Sequence, residues 1–171
     1  YTPLYTLSLH DALPICQVQN AVDALQSIAQ FNRQQFDYKV IGITGSNSKT
    51  IIKEWLATML ADDFNIVKSP DSYNSQLGVP LSVWQMSKEH NLGIFEAGIS
   101  KPNEMCKLAN IIRPNIGILT NIGMAHAQFF ENDKQKINEK LQLFKDCGTL
   151  IFHDDNELIY NTLGKRIHTS P

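Results

Sequence analysis

The chain has 171 residues, 43% of them hydrophobic and 19% charged, which is enough apolar material for one packed domain and little more. A formal net charge of −2 gives no electrostatic case for nucleic acid or an anionic membrane, and no apolar run is long enough to span a bilayer. Three scattered cysteines, Cys16, Cys106 and Cys147, lack CxxC spacing, which fits reduced thiols of a cytoplasmic protein better than a disulfide framework or a zinc site.

The amino-terminal stretch YTLSLHDALPI, Tyr5 to Ile15, is what translation of a common short-read sequencing adapter gives. It has no basic n-region, and Pro14 follows a broken apolar run, so it does not read as a signal peptide. Residues 1–15 are expected to be an artefactual tail, and His10 and Asp11 are not read as catalytic.

Val22, Leu25, Ile28, Ala29 and Phe31 recur close to helical spacing and predict a helix ahead of the first strand. YKVIGITG, ending at Gly45, is short, apolar and β-branched, as a strand buried on both faces must be. Thr50 to Leu60 is helical, with Ile51, Trp55, Met59 and Ile52, Leu56, Leu60 in two adjacent rows. NIVKS reads as a brief second strand, followed by the polar loop PDSYNSQLG and a helix through Met86 with Pro80 in its first turn. The alternation continues: LGIFEAG as a strand, PNEMCKLANII as a helix stopped by Pro114, IGILTNIG as a strand, and Asp133 to Lys145 as a helix. GTLIFH and Asn156 to Leu163 add a last strand and helix. Strands alternating with helices imply parallel βαβ units, hence an α/β fold with a mostly parallel sheet and flanking helices.

Ligands of such sheets sit at the carboxyl ends of the strands. The polar residues there are Thr44 to Thr50, Glu96, and Thr120 to His126. GITGSNSKT closes a strand and opens a helix, so its backbone N–H groups and the helix dipole favour an anion. Gly42, Thr44, Gly45, Ser46, Asn47, Ser48, Lys49 and Thr50 are the candidate nucleotide contacts, with Lys49 for the β- and γ-phosphates and the Thr50 hydroxyl for Mg²⁺. The pattern departs from GxxxxGK[ST] twice, since Ile43 and Ser48 stand where glycines are usual. The plain alternative is that Lys49 and Thr50 merely begin an ordinary helix.

Four ordered segments carry a family resemblance. GITGSNSKT is similar to the nucleotide loop of the Mur ligases, ATP-dependent enzymes that build the peptidoglycan stem peptide. FEAGIS resembles their strand-end motif, whose glutamate binds magnesium, and TNIGMAH the motif whose histidine binds a second magnesium. INEKLQLF resembles the helix that bears a carbamylated lysine, and Lys140 lies at the family's spacing after His126. SYNSQLGVPLSVW is most similar to the branch that adds D-alanyl-D-alanine, especially the form fused to alanine racemase in some bacteria.

The resemblance runs from about Val18 to the end of the chain. It implies a P-loop-type nucleotide-binding domain, an incomplete Mur ligase central domain. Residues 16–37 would be the end of an N-terminal UDP-substrate domain or a linker helix, 38–171 a partial ATP-binding domain, and the C-terminal domain absent. It implies ATP and two Mg²⁺ ions, with Thr50, Glu96, His126 and carbamylated Lys140 as metal ligands and Lys49, His126 and Lys140 as catalytic residues. Asn74, Ser75 and Gln76 would lie near the substrate. The substrates implied are UDP-N-acetylmuramoyl-tripeptide and D-alanyl-D-alanine, and the isolated piece is not expected to catalyse ligation.

Elementary chemistry agrees with several of these assignments. A carboxylate after a buried strand, as at Glu96, is costly unless paired or bound to a cation, and hard Mg²⁺ prefers oxygen ligands. Lys140 borders the apolar stripe Ile137, Leu141, Phe144, where burial lowers a lysine's pKa and leaves a neutral amine able to react with CO₂; Lys134 and Lys136 border it too. Ser48 keeps its backbone N–H but brings a Cβ where positive φ is unfavourable, so weakened ATP binding is expected. The rivals are another Mur ligase or folylpolyglutamate synthase, a non-catalytic nucleotide-binding module, and a structural domain in which Lys49 and Glu96 pair as a buried salt bridge.

Overall fold

A computed structural model describes residues 16–123, 130, 132–153 and 157–163; the adapter-like stretch lies outside them. The elements in chain order are α1 (Ala21–Arg33), β1 (Lys39–Thr44), α2 (Lys49–Leu60), β2 (Ile66–Lys68), α3 (Gly78–Trp84) and β3 (Leu92–Glu96). Then follow α4 (Met105–Ile112), β4 (Ile116–Leu119), α5 (Asp133–Leu141), β5 (Thr149–Phe152) and α6 (Glu157–Leu163). A 3₁₀ turn, Gln142–Phe144, extends α5. The five strands are all parallel, in the order β2-β3-β1-β4-β5. The alternation in the sequence therefore becomes the α/β sheet it predicts.

Element ends move where side chains intervene. The helix expected from Pro102 begins at Met105, because the Glu104 carboxylate accepts the N–H groups of Ser100 and Lys101 at 2.7 and 2.9 Å and holds that stretch as a turn. Asn132 caps α5 by accepting from the Gln135 N–H at 2.8 Å.

The pleat divides the core in two. Val40 and Phe95 face α1, α3 and α4, where Ala29, Val79, Leu108 and Ile112 meet them, whereas Ile41, Ile43, Leu92 and Ile94 face α2. Each such aliphatic side chain contributes about 1.5–3 kcal/mol when fully buried. Of the two apolar rows on α2, Ile52, Leu56 and Leu60 pack on the sheet. Ile51, Trp55 and Met59 stay 53%, 67% and 77% exposed.

Although residues 16–37 read in sequence as the end of another domain or a linker, α1 packs on this same core. The buried Arg33 side chain donates to the carbonyls of Phe36, Ile112 and Arg113 at 2.7, 2.9 and 3.1 Å, which satisfies the carboxyl end of α4.

β1 lies between β3 and β4, with Ile43 opposite Glu96 and Thr44 opposite Leu119. The chain leaves β3, crosses β1 and pairs β4 on its far side, the kind of change of direction at which open α/β sheets take ligands at their strand tips. Because Glu96 shares the pleat face of Leu92 and Ile94, it points toward α2.

Candidate functional site

The loop joining β1 to α2 is held by the residues after β4. Gly45 has φ +150°, and a Cβ there would stand 1.8 Å from Thr120 Oγ1, so only glycine fits. The Ser46 and Asn47 N–H groups donate to the Asn121 carbonyl and to Asn121 Oδ1 at 2.7 and 2.9 Å. Thr120 Oγ1 donates to the Asn47 carbonyl at 2.7 Å, and the Gly123 N–H donates to Ser46 Oγ at 2.9 Å. Thr120 and Asn121 thus buttress the loop, a role that the sequence reading missed by valuing TNIGMAH for its histidine.

Ser48 stands at φ 64°, ψ 5°, in the left-handed region, immediately before α2, and its side chain makes no capping hydrogen bond. The first N–H groups of a helix have no intrahelical acceptor, and here the N-cap side chain accepts from none of them. That end of α2 is built to receive an anion.

Three lysines gather beside it. Lys49 Nζ and the buried Lys140 Nζ both donate to the Gly45 carbonyl at 3.0 Å, and the buried Lys136 Nζ donates to the Gly123 carbonyl. Burial holds the Lys49 ammonium below its ordinary pKa, against the opposing pull of Glu96. Burial, then the charges of Lys49 and Lys136, push Lys140 down to about 7.

Glu96 is fully buried at the tip of β3. Its Oε2 accepts from Thr50 Oγ1 at 3.1 Å and from Asn74 Nδ2 at 3.4 Å. Its Oε1 lies 3.1 Å from Lys53 Nζ yet receives no hydrogen bond of normal geometry. The rival reading paired Glu96 with Lys49; the ion pair is made by Lys53 instead, one helical turn further on. The signal in the sequence was the i, i+4 relation of Lys53 to Lys49, which puts both on the face of α2 turned to the strand tips.

The donor set suits a hard divalent cation: the Thr50 hydroxyl and Glu96 Oε2 are in contact, while Oε1 faces Lys53. Among the described residues no cluster of three or more His, Cys, Asp or Glu forms a metal cage. Mg²⁺ is commonly held by one or two protein oxygens, with phosphate and water completing its shell.

The other expected site residues are placed less uniformly. Gly42 lies inside β1 rather than in the loop, and its bare Cα leaves room for Pro114, whose Cβ would otherwise be 2.9 Å away. The Thr44 hydroxyl is buried and donates to the Ala97 carbonyl at 2.8 Å, fastening β1 to β3. Asn74 reaches Glu96, but Ser75 Oγ accepts from the Gly78 N–H at 3.1 Å and starts α3. Gln76 turns to α1 and to the Glu104 carbonyl. His126 lies outside the described residues.

Residues 43–170 match the Mur ligase middle domain. A UDP-N-acetylmuramoyl-tripeptide–D-alanyl-D-alanine ligase of Treponema pallidum is 36% identical over 128 residues, which are 74% of this chain and 28% of that protein. MurF from Acinetobacter baumannii superposes with a TM-score of 0.80 at 26% identity, over 85% of this chain and 33% of that one. MurF ligase from Thermotoga maritima, solved in complex with ADP, gives a TM-score of 0.77 at 27% identity, over 88% of this chain and 36% of that one. The chain therefore spans about a third of the length of these relatives. Since the matched stretch takes in the buttressed loop, the β3 carboxylate and the lysines of α5 together, the chain belongs to the Mur ligase middle-domain family.

Proposed function

We propose that the chain is the ATP-binding portion of a UDP-N-acetylmuramoyl-tripeptide–D-alanyl-D-alanine ligase of peptidoglycan precursor synthesis, acting in the cytoplasm. The carrying observation is the 3.1 Å contact of Thr50 Oγ1 with Glu96 Oε2, which joins the nucleotide loop to a buried strand-tip carboxylate beside Lys49. Relatives named for this activity, and one solved with ADP, support the reading. Among the described residues no helix is long and apolar enough to cross a membrane.

In the whole enzyme a carboxylate oxygen of the tripeptide attacks the γ-phosphorus of ATP, the bond to ADP breaks, and an acyl phosphate forms. The amine of D-alanyl-D-alanine then attacks the acyl carbon, phosphate leaves with the C–O electron pair, and the nitrogen loses a proton. The residues of this chain position and neutralise. The open N–H groups of α2 and the Lys49 ammonium take the phosphate charge, and the loop held by Thr120 and Asn121 keeps the donors aimed. Mg²⁺, when bound, spreads charge across the phosphates; the Thr50 hydroxyl and Glu96 would hold it. Lys140 would become a ligand on carbamylation, and by its motif His126 is proposed for a second ion.

Thermal unfolding with ATP and Mg²⁺ tests the reading. Ligand at about 100 times its Kd adds about 2.7 kcal/mol, on the order of 5–10 °C for a chain of this size. Lys49→Ala and Glu96→Ala should each abolish the shift, and a shift indifferent to both would refute the site.

A further inference from the structure

We propose that Lys53 is a positioning residue: its ammonium aims the Glu96 carboxylate at the cation beside Thr50 and ties that carboxylate to the Ser69–Asn74 loop. This inference rests on the nucleotide reading above. Lys53 is wholly buried on α2, one turn beyond Lys49. Its Nζ lies 3.1 Å from Glu96 Oε1 and 3.0 Å from Glu54 Oε1, and donates to the Ser69 carbonyl at 2.7 Å and to the Asp71 carbonyl.

These contacts divide the work of the carboxylate. Oε1 faces Lys53, and Oε2 is left toward Thr50 and Asn74, so rotation that would swing Oε2 away from Thr50 is opposed. The same ammonium pins the loop. Asp71 adopts a left-handed φ of 40°, unusual without glycine, where its carbonyl receives Lys53. Ser69 is fixed from two sides, its carbonyl by Lys53 and its Oγ by the Glu96 N–H at 3.1 Å. Asn74 closes the arc: its carbonyl accepts from the Gly98 N–H at 2.7 Å while its amide reaches Glu96.

A buried ion pair is seldom worth more to a fold than an apolar pair of the same shape, so stability gives little reason for this one. Orientation does. The pair fixes one carboxylate oxygen, and its remaining donors set the backbone of the loop that carries Asn74. The position offered to a cation and the course of that loop are thereby set by one group.

The test compares the wild-type chain with Lys53→Met, titrating ADP in EDTA and then across Mg²⁺ concentrations, with amide hydrogen exchange followed over residues 69–77. Partners that orient metal ligands typically cost 10–100-fold in metal affinity when removed. The expected result is a half-saturating Mg²⁺ concentration raised at least tenfold, metal-free ADP affinity within about twofold of wild type, and faster exchange in 69–77 alone. Lys53→Gln, which keeps hydrogen-bonding atoms, serves if the methionine variant does not fold. A folded variant with unchanged Mg²⁺ dependence overturns the proposal. So does failure of both variants to fold, which would make Lys53 a requirement of the fold alone. Wild type failing to bind ADP would instead overturn the nucleotide-site reading, and wild type binding it with no Mg²⁺ dependence would overturn the cation beside Thr50 and with it this proposal.

Discussion

Lys49 and Lys140 donate to one acceptor, the Gly45 carbonyl, each at 3.0 Å. Burial lowers the pKa of both, and for Lys140 the charges of Lys49 and Lys136 lower it further, so positive charge is unfavourable here. A triphosphate at the end of α2 would offset this, and so would conversion of Lys140 into an anion. The site is thus poised to gain negative charge by either route.

Lys140 gives the first prediction. Above about pH 7 the folded chain holds it neutral, whereas an unfolded chain keeps its ammonium up to the ordinary value of 10.5. The unfolded state then binds more protons, so stability rises with pH between about 7 and 10.5. Urea denaturation at stepped pH should show this rise, and Lys140→Met should flatten it. With ¹³C-enriched bicarbonate, a carbamate resonance is expected in the wild-type spectrum and absent from that of Lys140→Met.

Ser48 gives the second. Its left-handed backbone costs roughly 1 kcal/mol relative to glycine, and since its hydroxyl caps nothing, no contact offsets that cost. Ser48→Gly should stabilise the chain by about 1 kcal/mol, raising Tm by about 2–4 °C, and should tighten ATP binding. Circular dichroism melts and ATP titration check both; a loss of stability would contradict the conformational argument.

Asn121 gives the third. Its side chain accepts the Asn47 N–H at 2.9 Å, and a hydrogen bond of this kind contributes about 1 kcal/mol net. Asn121→Ala should lower stability by about that amount and weaken ATP binding about fivefold through a looser loop. Isothermal titration would show the loss, whereas unaltered affinity would mean that the loop holds its form without the amide.

The sheet was legible in the sequence because buried parallel strands must be continuous and apolar, as in IGILT and LGIFE, and because helices must alternate with them. The loop was legible for the same local reason. Lys53 was not, since a helix lysine ordinarily faces water, and only the pleat phase of Glu96 brings a buried carboxylate to it. The course of Gln76 was not legible either: two residues beyond Asn74, a turn carries it to α1, which no sequence period records. The two apolar rows of α2 were equally strong in the sequence, and which one would meet the sheet depended on the strands beneath it.

That choice of row has a practical sequel. The chain has two tryptophans, and Trp55 on the outer row of α2 and Trp84 on α3 are 67% and 54% exposed. Both indoles sit largely in water before and after the chain melts. Their emission should therefore change little on denaturation, and intrinsic fluorescence would understate how cooperatively the interior comes apart.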